Sequence, residues 1–144
     1  MSNYNSLNHS KWDCKYHIVF IPKYRKKKLF GFIKKELVEV FHNLSRQKDC
    51  EILEGHIKSD HVHMLISIPP KYKVSDIVGF IKGKSSIWIA QNIGNKQRNF
   101  AGHKFWARGY FVSTVGIDED VIRKYIQHQE TADRKLDSLN LFNR

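Results

Sequence analysis

The residues with the clearest chemical potential are His61-Val62-His63, set in an apolar run that ends at Ile68. Side chains alternate along a strand, so these two imidazoles point the same way and can chelate one divalent cation. Val62, Met64, Ile66 and Ile68 then form an entirely apolar opposite face for helices to cover. That leaves His61 and His63 beside Leu65 and Ser67, open to a ligand. A second pair is Tyr125 and Gln129, four apart in DEDVIRKYIQHQE. On a helix such residues stand one turn apart and about 40° around the axis. A carbonyl at Gln129 can thus share a cation with a phosphate that faces the Tyr125 phenol. Asp60, just before the histidines, is either a turn-former or a further partner of the metal. Each pattern alone also fits plain packing: two hydrogen-bonded imidazoles, and a tyrosine that fills a helix interface.

The elements that must position these groups follow from periodicity. Residues 16–22 (YHIVFIP) are β-branched and aromatic and read as a strand. Residues 29–47 place Phe32, Ile33, Leu37, Val40, Phe41 and Leu44 at helical spacing, an amphipathic helix. Residues 51–57 form a second strand, with Gly55 marking a bulge or a close approach. The turn Lys58-Ser59-Asp60 leads into a third strand over 61–68, which Pro69-Pro70 ends. Ser75 or Asp76 caps a second helix running to about Asn92. A loop over 94–102 precedes an aromatic stretch, 105–115, that reads as a strand interrupted at Arg108-Gly109. Asp118-Glu119-Asp120 then opens a last helix, with acids at the positive end of its dipole, continuing at least to Gln129.

This order predicts an α+β chain: a ferredoxin-like, RRM-like antiparallel sheet of the split βαβ type. Helices cover one face, and an added C-terminal helix carries the tyrosine. No repeat or linker divides the 144 residues, so residues 1–144 are expected to form a single domain. Fold alone assigns no function.

Charge narrows the partner. Lys and Arg outnumber Asp and Glu by 25 to 14, a formal charge of +11, which favours a polyanion through counterion release. Residues 23–28 (KYRKKK) pack five cations into six positions. Lys23, Arg25, Lys26 and Lys27 there, with Lys82, Lys84 and Arg108, are the candidates for phosphate contacts. Trp106 and Tyr110 either stack on unpaired bases or fill the core. Gly83-Lys84-Ser85 is no P-loop: residue 78, where the earlier glycine is required, is Val78, and the tripeptide sits within a helix. Cys14 and Cys50 form neither a disulfide framework nor a zinc pair and read as small apolar residues of a reducing compartment. No apolar run approaches the roughly 20 residues that cross a membrane, and the polar N-terminus lacks a secretory core. The expectation is a cytoplasmic protein, nucleoid-associated when bound to DNA.

Taken together, the His-hydrophobic-His motif in SDHVHMLIS, FIKGKSS at 80–86, FWARGYFVSTVG at 105–116 and Tyr125 with Gln129 resemble the single-tyrosine HUH transposases of the insertion-sequence 200/605 group. The likeness runs in order from about Trp12 to Glu130. It implies a DNA transposase that cleaves and religates single-stranded DNA at the ends of a mobile element. Tyr125 would be the nucleophile, forming a 5′-phosphotyrosine and freeing a 3′-hydroxyl. His61, His63 and Gln129 would hold Mg2+ or Mn2+. It further implies subterminal DNA hairpins as partners and a homodimer whose active site is shareable between subunits, with no nucleotide cofactor. Two other readings stand beside it: a non-catalytic nucleic-acid-binding module, and a domesticated HUH nickase. The module should carry exposed aromatics on its first and third strands, where this chain has histidines on the third.

Overall fold

The computed structural model describes residues 5–7, 9–93 and 105–142. Two short strands, β1 (Asn5–Leu7) and β2 (Ser10–Trp12), pair antiparallel ahead of the main sheet. β3 (Lys15–Phe20) follows, then a 3-10 turn (Tyr24–Lys26) running directly into α1 (Lys27–Gln47). β4 (Glu51–Ile57) and β5 (Val62–Ser67) form a hairpin, and α2 (Val74–Asn92), β6 (Phe111–Ser113) and α3 (Glu119–Phe142) complete the order.

The four-stranded sheet runs β4-β5-β3-β6, antiparallel throughout. That is the expected split βαβ arrangement. The end of central strand β3, Ile18 to Phe20, is buried on both sides, which explains its run of consecutive apolar residues. Ile18 and Phe20 face a core shared with α1 and α2, whereas Val19 and the following Ile21 face α3. The face of Val62, Met64 and Ile66 is buried beneath α1 and α2, as alternation predicts. Truncating the fully buried Phe20 to Ala would cost about 3–5 kcal/mol.

Four sequence expectations need correction. Phe32 does not join the buried stripe of α1; it is 76% exposed, and Phe30 is buried in its place. The helix starts at Lys27, two residues before the expected start, and the stripe it buries begins at Phe30. Neither Ser75 nor Asp76 caps α2: the extended Lys73 precedes its first turn without a side-chain cap, and Asp76 lies inside that turn. The strand expected over 105–115 shrinks to Phe111–Ser113 plus a single bridge between Pro22 and Trp106. Gly109, with φ of +82°, turns the chain there, and the Ala107 and Gly109 carbonyls bond to Lys82 Nζ at 2.8 and 2.7 Å instead of to a ladder. As expected, α1 and α2 cover one face of the sheet, and the added C-terminal helix α3 packs across the other. The loop expected over 94–102 lies outside the described residues.

The hairpin does bulge near Gly55: the register shifts between Ile52 and Glu54, leaving Leu53 as the extra residue. α3 is capped as its acids suggested, with Val121 N–H donating to Asp118 Oδ1 at 2.9 Å. Cys50 is buried, Cys14 half-buried, and both are free thiols.

Candidate active site

Strand register assembles the site. One rung of the sheet aligns His56, His63, Val19 and Phe111 across all four strands. On the next rung of the same face lies His17, whose Nδ1 is 3.2 Å from His63 Nε2, one imidazole donating to the other. Burial, then the neighbouring His17, His56 and His61, hold the His63 pKa below the ordinary imidazole value. His63 is therefore neutral at pH 7, the form that ligates a metal. His61 stands just before β5, 14% exposed, and its Nδ1 donates to Asp60 Oδ1 at 2.7 Å. That bond fixes the tautomer and turns the lone pair of Nε2 outward. Asp60 is thus the orienting partner of His61.

Helix α3 closes this face. Ile122 and Ile126 pack on Val19, Ile21 and Ala107, and Tyr125 is half-buried against the same cluster, its ring 5.9 Å from that of Phe111. The Tyr125 hydroxyl is buried with no hydrogen-bond partner among the described residues, and burial pushes its pKa up to about 12. A Cβ at Gly109 would stand 4.0 Å from this hydroxyl and 3.9 Å from Gln129 Nε2. Tyr125 and Gln129 therefore share one seat beside Gly109, as their spacing suggested.

A pocket of about 550 Å3 opens over the histidines. His56, His61 and His63 line it with Asp60, and so do Lys58 and Arg123, two cations suited to phosphate. From α3 it receives Glu119, Ile122, Arg123 and Ile126, not Tyr125 or Gln129. The structure thus unites His61, His63 and Asp60 and, separately, Tyr125 and Gln129. Sequence reasoning missed His17, His56, Lys58 and Arg123. Alternation puts His17 on the face of Val19, but only strand register brings it and His56 to His63.

Can these residues hold a divalent cation? His61 fits, with Nε2 free and its tautomer set. His63 fits by its neutrality, although a cation at Nε2 must displace the His17 contact. Among the described residues no three His, Cys, Asp or Glu side chains converge as a complete metal site. A third ligand would then be of another kind, such as an amide or phosphate oxygen, which would suit Mg2+ or Mn2+.

The expected DNA contacts divide. Trp106 does not stack on DNA: it is 5% exposed, wedged among Phe20, Phe30 and Phe105, and its Nε1 donates to Ser85 Oγ at 2.9 Å. Lys82 spends two of its three donors on the Ala107 and Gly109 carbonyls, and burial lowers its pKa to about 8, so it braces the loop that seats Tyr125. Lys84 and Arg108 are exposed, and Tyr110 is half-buried against the core. The basic segment is fastened to α3: Lys27 pairs with Glu130 at 3.0 Å, and Tyr24 N–H donates to the buried Asp133 at 2.7 Å. Arg134 lies 3.8 Å from the centre of the Tyr24 ring. Arg25 is exposed, whereas Lys23 and Lys26 are half-buried.

A histidine pair on an antiparallel sheet, closed by a tyrosine-bearing helix, defines the class of protein, and relatives agree. Residues 10–129 match the family described as "Transposase IS200 like", and the chain belongs to that family. It is 40% identical to the transposase for insertion sequence element IS200 of Salmonella typhimurium, over 98% of this chain and 93% of that one. It is 27% identical to the ISDra2 transposase TnpA of Deinococcus radiodurans, over 82% and 85% of the two chains. Among solved structures, a Deinococcus radiodurans protein described as a transposase superposes with a TM-score of 0.72 at 23% identity, covering 87% of this chain and 97% of the other. A REP-associated tyrosine transposase bound to a REP hairpin reaches 0.53 at 13% identity, covering 87% and 70%. These two structural likenesses speak for the fold. No helix among the described residues is long and apolar enough to cross a membrane.

Proposed function

We propose that this chain cuts and rejoins single-stranded DNA at the ends of an insertion sequence, with Tyr125 as the nucleophile. The observation that carries the reading is the pocket over His61 and His63, flanked by Lys58 and Arg123 and roofed by the helix that bears Tyr125. The Tyr125 oxygen attacks the phosphorus and its proton passes to solvent. The bond from phosphorus to the 3′-oxygen breaks as that oxygen takes a proton from solvent, leaving a 5′-phosphotyrosine and a 3′-hydroxyl. Attack by another 3′-hydroxyl reverses the step and restores the phenol. One phosphodiester is exchanged for another, so no ATP is consumed. A divalent cation, Mg2+ or Mn2+, on His61 and His63 would neutralise charge developing on the phosphate. Asp60 orients His61, and Lys58 and Arg123 hold phosphate oxygens. The Gln129 amide oxygen would be a third ligand to that cation.

The DNA partners are hairpins near the element ends, bound as single strands, and the acting form is a homodimer in the cytoplasm. The +11 charge supports the polyanionic partner. Incubation with single-stranded oligonucleotides spanning both ends of the element, followed by a denaturing gel, tests the reading. A metal-dependent protein–DNA adduct, absent in Tyr125→Phe and in His61→Ala, is the expected result. Binding without an adduct, with either metal, would instead favour a non-catalytic binding module.

A further inference from the structure

A groove of about 260 Å3 runs along the sheet edge between α1 and β4, and the reaction above makes no use of it. Lys34, Lys35 and Val38 line it from the helix, and Gly55 and His56 from the strand. His56 also lines the pocket over His61 and His63, so the two recesses meet at this residue. A strand of DNA whose phosphate lies at the histidines can therefore pass around the edge strand into the groove.

Two features make the groove more than a surface irregularity. Its floor is apolar, from Ile52, Ile57 and Met64, while its rim carries the half-buried Lys34 and the exposed Lys35. Apolar depth with cations at the rim suits a flat base attached to phosphate, and the imidazoles of His42 and His56 in the wall offer polar partners to its edge. The second feature is Gly55. A glycine inside a strand weakens it, yet folding does not require one here. A Cβ at Gly55 would meet only Ile52 Cγ2 at 3.7 Å, an ordinary contact. Gly55 pairs with Met64 on the groove side of the sheet, and its bare backbone leaves the space beside His56 open.

We infer that this groove binds one unpaired nucleobase of the substrate strand, adjacent to the cleaved phosphate, with Lys34 and Lys35 on the backbone that follows. The inference rests on the proposed action on single-stranded DNA and adds a subsite to it.

The test scans single-stranded oligonucleotides from the DNA flanking the gene, each with one abasic position. Binding is read by fluorescence anisotropy without divalent cation, and adduct yield separately with Mn2+. For the native chain one abasic position next to the cut should weaken binding on the order of tenfold. Gly55→Val, which fills the groove, should lose a similar factor on the intact strand and become indifferent to that position. Val38→Trp fills the groove from the helix side and should behave alike if Gly55→Val folds poorly. Native affinity and native abasic sensitivity in both filled variants would overturn the inference. So would a change of oligomeric state without DNA, which would make the groove a contact between copies. Absence of any adduct with the native chain would defeat the phosphotyrosine step alone, because the groove is read from binding. Normal adducts with indifferent groove variants would defeat the groove alone.

Discussion

The Tyr125 hydroxyl lies beside Gly109, 4.0 Å from where a Cβ would stand, buried and with no hydrogen-bond partner among the described residues. A side chain at position 109 would crowd this seat and strain a backbone at φ of +82°. The seat keeps the phenol from water and protonated: with its pKa near 12, only about one molecule in 100,000 is phenolate at pH 7. This conformation shields the proposed nucleophile.

Protection should cost stability. Tyr125→Phe removes a buried hydroxyl that lacks a partner, and we expect it to stabilise the fold by about 1 kcal/mol in urea denaturation. The variants should also differ in alkali. The folded state holds the phenol proton more tightly than the unfolded chain, so this contribution is complete below pH 10 and is lost as pH rises from 10 towards 12. Native protein should lose stability across that window more steeply than Tyr125→Phe. A variant less stable than the native chain at pH 7 would mean the hydroxyl has a partner.

Asp60 should act on the metal through His61. Asp60→Asn keeps the shape of the side chain but weakens the bond at 2.7 Å to Nδ1. Titration with Mn2+ followed by electron paramagnetic resonance should show affinity falling about 10–100-fold, with the fold intact. Unchanged affinity would reduce Asp60 to a turn-former.

Lys82 and Lys84, two residues apart on α2, should separate cleanly. Lys82→Met releases the Ala107 and Gly109 carbonyls, and we expect a loss of about 1.5–3 kcal/mol in stability. Lys84→Gln should leave stability unchanged and lower the slope of log affinity against log salt by about one. Equal effects of both on the salt slope would return Lys82 to the DNA interface.

Much of this site was legible because alternation is a local rule. His61, Val62 and His63 sort to opposite faces from sequence alone, and the four-residue spacing brings Tyr125 and Gln129 together. The errors arose where tertiary packing decides. Phe30 and Phe32 are both apolar near the start of α1, and only the entry of the chain from the 3-10 turn selects Phe30 for the core. Trp106 reads equally as a stacking platform and as core until Ser85 supplies a partner for its indole. The stretch around Gly109 has strand-forming residues, but Lys82 captures its carbonyls from 25 and 27 residues away in sequence. His17 and His56 become part of the site only through register, which periodicity does not encode.

Subunit mixing asks where Tyr125 acts. Tyr125 does not line the histidine pocket of its own chain, and in the proposed homodimer we expect the partner subunit to receive it. Inactive Tyr125→Phe and inactive His61→Ala, mixed and allowed to exchange subunits, should then regain adduct formation, to no more than half the native level. No recovery after verified exchange would place Tyr125 and the histidines of one chain in the same site.

If Tyr125 is the nucleophile, it becomes joined to DNA. Trapped adduct should be digested with protease and nuclease, and the remaining nucleotide located by mass spectrometry. A single modified peptide carrying a 5′-linked nucleotide on Tyr125 is the expected result. A nucleotide on any other residue, or a 3′ linkage, would contradict it.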